Sequence, residues 1–113
     1  MNYFELHLQI ENFIKSLKKS DYSFRPVLDG STDAGLNIEL GFTCYAVKTL
    51  YTINSLAVTD NKEIQKYTEF IKSFSKNKKG FPRGSFIDEN YLNSYKKKYF
   101  PLLIKNIAKF VLG

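Results

Sequence analysis

The stretch GFTCYAVKTLYTINSLAVTDNKEIQKYTEFIKSFSKNKKGF, Gly41–Phe81, joins two segments of opposite character. Gly41 to Thr59 contains a single charge, Lys48, whereas Asp60 to Lys76 carries seven. In the first segment Phe42, Tyr45, Ala46, Thr49, Leu50, Ile53, Leu56 and Ala57 fall on one broad face at helical spacing. Cys44, Val47, Tyr51 and Val58 cover most of the other side. A helix that is apolar nearly all round has to be covered on more than one side; at about 17 residues it would be roughly 25 Å long. In the second segment Ile64, Tyr67, Phe70, Ile71 and Phe74 make one stripe, with Lys62, Lys66, Glu69, Lys72 and Lys76 pointing away. Asp60 followed by Glu63 has the form of a capping box. A connection this short predicts two helices packed antiparallel, one inner and one outer.

Working outward, Tyr3 to Lys19 repeats Tyr3, Leu6, Ile10, Phe13, Ile14 and Leu17 at three- and four-residue steps, which predicts a first helix. His7 lies one turn from Glu11, and the reading is a surface ion pair rather than a ligand or base. Residues 20–40 hold no helical period; Pro26, Gly30 and Gly35 punctuate them, and a long irregular loop is expected. Asp29 and Asp33 sit in DGSTD, but no third oxygen ligand and no twelfth-position glutamate follow as a calcium loop requires. NKKGFPRGSFI, Asn77–Ile87, has glycines suited to positive φ but lacks the spacing of a phosphate-cradling loop. Phe81 and Phe86 are expected to tuck back onto helix ends.

From Asp88 the chain turns helical again. Tyr91, Leu92, Tyr95 and Tyr99 form a stripe beside Lys96, Lys97 and Lys98, and Pro101 is expected to break or restart the helix. Leu102 to Leu112 is apolar on more than one face, a larger uncovered stripe than a soluble monomer leaves exposed. An aromatic stripe beside lysines can clamp single-stranded nucleic acid; tyrosine facing the core and lysine facing water accounts for the same residues. Tyr91, Tyr95, Tyr99, Leu103, Ile107 and Phe110 are the candidate partner-binding residues.

Composition bounds the function classes. No apolar run reaches the roughly 18 residues of a membrane span, and MNYFELHLQIENF lacks the basic start of a signal peptide, so a cytoplasmic protein outside the membrane is expected. The single cysteine, Cys44, excludes an internal disulfide or a cysteine zinc cluster within this chain, and it is read as a small hydrophobe in the apolar helix. Seventeen Lys and Arg against eleven Asp and Glu give a net charge of +6. Arg25 and Arg83 are the only arginines, whereas sequence-specific nucleic-acid readers lean on arginine. Nucleic acid is therefore disfavoured as a partner.

The hairpin with its closing turn resembles the repeats of the α/α-toroid superfamily, which includes terpenoid cyclases and protein prenyltransferases. Those repeats end in a pattern like Phe-Gln-x-x-x-Gly-Gly-Phe. Here Phe74, Gly80 and Phe81 match it, while Ser75 stands for the glutamine and Lys79 for the first glycine. Phe42 to Leu50 is similar to the opening of an inner helix. The resemblance implies an all-α fold of about five helices in antiparallel hairpins, an incomplete α/α toroid over a single domain, 1–113, or the N-terminal fragment of a larger one. The families' acid motif, diphosphate cluster and zinc set do not carry over, so the resemblance implies scaffold without catalytic residues, metal or cofactor. The expected function is a non-catalytic scaffold or protein-interaction module. Its partner would be another protein, a second copy or a missing C-terminal part of the polypeptide. The alternatives are the N-terminal piece of a cyclase- or prenyltransferase-like enzyme whose catalytic residues lie elsewhere, and a weak basic nucleic-acid-binding domain.

Overall fold

A computed structural model describes residues 2–112, apart from the side chain of Lys98, so the third member of the lysine run lies outside the described residues. Among these residues the fold is all-α, with five α-helices and one two-residue strand pair. Asn2 opens α1 (Tyr3–Ser16): its side chain accepts from the Glu5 N–H, and the Glu5 carboxylate accepts in return from the Asn2 N–H, a complete capping box. A four-residue helix, α2 (Asp33–Leu36), interrupts the 20–40 loop, capped by Thr32. Next come α3 (Leu40–Thr52), a 3-10 turn (Ser55–Val58) and α4 (Asn61–Lys72). Strands β1 (Ser75–Lys76) and β2 (Ser85–Phe86) pair antiparallel, Ser75 opposite Phe86, and α5 (Glu89–Leu112) follows.

The apolar segment is shorter as a helix than its composition suggests. Expected to run to Thr59, α3 stops at Thr52 because Asn54 adopts the left-handed conformation, φ 60°. Asparagine reaches that region at low cost, and it commonly ends helices there. Asp60 caps α4 through the Lys62 N–H, but Glu63 does not complete a capping box. Its carboxylate instead takes Lys18 Nζ at 2.5 Å and the Tyr67 hydroxyl at 3.2 Å. Pro101 neither breaks nor restarts anything: α5 runs through it for 24 residues. The carbonyl that loses its N–H partner four residues earlier belongs to an exposed residue, Lys97.

The core is small and lies where α1, α3 and α4 meet: Leu17, Phe24, Ala46, Leu50 and Tyr67, with Ile14, Tyr22, Val47, Ile53 and Leu56 against them. Its largest fully buried side chain, Phe24, comes from the stretch expected to be irregular loop. Tyr22 takes a positive φ of 68°, and the chain doubles back so that Lys19 N–H donates to Ser23 O and Arg25 N–H to Leu17 O. The loop comes close to α3 at the buried Thr43, Phe24 N–H donating to the Thr43 hydroxyl at 3.3 Å. Tyr67 packs edge-on to Tyr22, with ring centroids 5.6 Å apart, and Lys18 Nζ lies 4.4 Å over the Tyr22 ring.

Asp88 joins the two ends of the fold. One carboxylate oxygen accepts from the N–H groups of Glu39 and Leu40, at 2.8 and 3.0 Å, at the start of α3. The other accepts from Asn90 and Tyr91, at 3.0 and 3.3 Å, at the start of α5. Glu39, the N-cap residue of α3, makes no side-chain cap bond of its own, so this helix borrows its cap from 48 and 49 residues away. A buried carboxylate at two helix N-termini satisfies orphan donors of both and meets the positive end of each dipole.

Replacing one N-cap side chain costs about 1 kcal/mol, so Asp88→Ala, which removes two, is expected to lower stability by about 2 kcal/mol or more. Urea unfolding measures it; a wild-type midpoint in the variant contradicts the double cap.

The Lys18–Glu63 pair gives the fold a pH dependence. The Lys18 bond holds the Glu63 carboxyl below its ordinary value of 4.5. Desolvation works against the Lys18 ammonium, yet Glu63 and Tyr67 together raise it above 10.5. The glutamate's contribution is thus present above pH 4.5 and is lost as pH falls through the lowered value, while the lysine's is present below pH 10.5 and is lost as pH rises through the raised one. In melting curves from pH 7 to pH 3, Lys18→Met is expected to flatten the acid loss; an unchanged slope contradicts the pairing.

Candidate functional site

The apolar residues of α5 do not join the core. Leu102, Leu103 and Ile104 are consecutive, so at 100° per residue they span about 200° of the helix circumference. They are 53%, 56% and 52% exposed. No side of the helix is covered there, and every described side chain from Tyr95 to Leu112 is exposed. The molecule accordingly measures 62 × 35 × 22 Å with a radius of gyration of 18.6 Å, where a compact chain of this size has about 13 Å. The end of α5 is an arm.

The candidate residues all lie on this helix. Tyr91, Tyr95, Tyr99, Leu103 and Ile107 follow one another at four-residue steps, Phe110 lies beside the row, and all six are exposed. The reading in which the tyrosines face the core is therefore corrected. Their rings face outward, those of Tyr95 and Tyr99 lying 4.6 Å apart between centroids. Tyr91 stands apart from the others at the root of α5, where it lines a hollow with Ile38, Leu40, Phe42, Tyr45 and Phe86. The arm also carries nearly all of the net charge. Five lysines and no acid follow Glu89, leaving twelve cations against eleven carboxylates in residues 1–89, a net +1.

The body has its own open apolar surface. Tyr3, Phe4, Leu6, His7 and Ile10 of α1 face Thr52, Ile53 and Asn54 across a groove of about 570 Å³. Tyr3 is 94% exposed and Phe4 75%. At the groove's edge a serine, a histidine and a glutamate converge: Ser55 Oγ lies 3.3 Å from His7 Nε2, and Glu11 Oε2 lies 3.5 Å from the same nitrogen. A proton relay needs serine and carboxylate on opposite ring nitrogens; here both meet one. The arrangement therefore ties α1 to the 3-10 turn and does not activate Ser55. The other Glu11 oxygen holds Lys15 at 2.5 Å, and that bond, with a second from Ser55, keeps the carboxyl below its ordinary range. The His7–Glu11 pair is legible at i, i+4 in the sequence. Ser55, 48 residues away, carries no such signal.

The remaining expectations divide. Cys44 is exposed rather than packed in an apolar helix interior, because the side of α3 opposite the core is left bare, with Tyr45 and Tyr51 exposed as well. Phe81 and Phe86 do not tuck onto helix ends; both are exposed. Gly80 and Gly84 take φ of +90° and +75°. The loop they bend is braced by Asn77, whose side chain accepts from the Gly84 N–H, and by Lys78, which reaches Glu89 at 2.6 Å. Among the described residues no three His, Cys, Asp or Glu side chains gather in a position to hold a metal, and no helix is long and apolar enough to cross a membrane. Comparison with family models, with characterised proteins and with solved structures finds no match.

Partial desolvation pushes the Cys44 thiol above its ordinary value of 9.0, and no charged group counteracts it. A disulfide reagent is therefore expected to titrate one thiol in the folded protein, with a pH–rate midpoint above 9. A midpoint near neutrality would indicate an activated cysteine and contradict this placement.

Proposed function

We propose that this chain is a non-catalytic helical interaction module. The body, a helical-hairpin scaffold of the kind seen in part of an α/α toroid, presents the end of α5 as a docking element. The observation that carries this reading is the bare circumference of the arm around Leu103. An isolated helix of this length is marginal in water and draws its stability from packing an apolar face. Leu103, Ile107 and Phe110 supply such a face, and among the described residues they are left exposed. The pairing of Ser55 and Glu11 on one nitrogen of His7 and the raised Cys44 thiol supply no activated nucleophile to set beside it.

The reading separates the arm's role from the body's stability. Leu103→Asp with Ile107→Asp is expected to leave the urea midpoint unchanged and to weaken association at least tenfold, whether with itself or with captured macromolecules. A large loss of body stability in that variant contradicts a free arm. Binding of the wild type to generic DNA that falls steeply with salt and survives the double substitution would move the reading to the basic nucleic-acid alternative.

A further inference from the structure

Resting on that interaction reading, we infer that the occupant of the arm is an anionic phospholipid surface, on which the helix from Phe100 to Leu112 lies with one side immersed. At 100° per residue, Phe110, Leu103, Ile107, Phe100, Val111 and Ile104 fall within about 120° of the circumference. All six are exposed. Lys105 and Lys109 fall on the opposite side, with Leu102 and Asn106 beside them. From Phe100 to Val111 the stripe is about 17 Å long at 1.5 Å rise. A plane covers an arc of this width along its whole length and leaves the lysine side wet, which is how a helix lies in a membrane interface.

Charge selects lipid over a protein face. Five lysines and no acid follow Glu89, and none of the five has a carboxylate three or four residues away. Among the described residues Lys96, Lys97, Lys105 and Lys109 enter no ion pair, whereas Lys15, Lys18, Lys19, Lys66 and Lys78 of the body each hold a glutamate. One turn before Phe100, Lys96 lies in line with the apolar arc and Lys97 at its edge, while Lys105 and Lys109 lie opposite it. Lys105 and Lys109, one turn apart, also repel each other. A protein face would need separate carboxylates on both sides of the helix to meet these cations. The field of an anionic bilayer reaches about 8 Å at physiological salt, across most of a helix about 10 Å wide, and meets all of them at once. None of the five is arginine, the residue suited to discrete bidentate pairing.

No described helix is long and apolar enough to cross a membrane, and a protein outside the membrane was expected on that ground. A helix lying along the surface needs no span, only one apolar side. Tyr99, about 20° from Phe110 around the helix, borders that side, and tyrosine favours the depth of the headgroups. Lysine stems let the ammonium groups of Lys96 and Lys97 reach the same level. Immersion would also supply the packing that an isolated helix lacks in water.

Co-sedimentation of the full chain with vesicles tests this, phosphatidylcholine alone against phosphatidylcholine mixed with phosphatidylserine. The wild type is expected to bind the mixed vesicles at least tenfold more tightly, with an affinity that falls as salt rises. Ile104→Asp with Ile107→Asp is expected to weaken that binding at least tenfold, and Lys105→Gln with Lys109→Gln at least fivefold, the urea midpoint staying at its wild-type value in both. Because the chain has no tryptophan, a single introduced indole reports the immersed side. Leu103→Trp is expected to shift its emission to the blue on the mixed vesicles, and Leu102→Trp, on the lysine side, is not. Equal binding to the two kinds of vesicle, wild-type binding by the double-aspartate variant, or equal blue shifts at the two tryptophan positions overturns the inference. If the wild type ignores the vesicles but self-associates in sedimentation equilibrium, and the double-aspartate variant does not, the lipid inference fails and the interaction reading stands. A chain whose arm binds neither vesicles nor any protein, its own copies included, overturns both.

Discussion

Asp88 is the constraint on which the rest of the structure depends. A single carboxylate at two helix N-termini decides where α3 begins and in which direction α5 leaves. Because the start of α3 has no cap of its own, the helix that supplies Thr43, Ala46 and Leu50 to the interior is held at its open end by a residue from the far side of the sequence. The same bonds fix the root of α5, so the arm projects from a rigid point. The Lys78–Glu89 ion pair braces that point from the neighbouring loop.

Around this tie the body is thinly built. Its buried cluster is a handful of side chains, and Phe24 is among the largest because a turn at Tyr22 inserts it between helices. Where a second helix layer would be expected against the far side of α3, Cys44, Tyr45 and Tyr51 are exposed. The chain has little interior and much exposed aromatic and aliphatic surface.

The helices were legible in the sequence because their signals are local: the Tyr3–Leu17 period, the Asp60 cap and the Tyr67 stripe act within one or two turns. Asn54 was as local a signal, and it marks the end of α3 better than the apolar composition that runs past it. What was not legible depended on long-range pairing. Nothing near Ser23 or Phe24 announces that the loop enters the core, and nothing near Glu63 announces that Lys18 will draw it from its cap. The candidate row from Tyr91 to Phe110 was visible as an apolar stripe. Periodicity alone reports that such a stripe exists without saying whether it faces a core, and the α1–α3 groove draws on residues some 45 positions apart, which no spacing rule connects.

The central claim is that the end of α5 stands uncovered by the body. Hydrogen exchange of the native protein in dilute solution reads this directly. The account predicts that amides from Leu103 to Val111 exchange close to the unprotected rate, while those from Thr43 to Leu50 are protected. Arm amides as protected as those of α3 would contradict it.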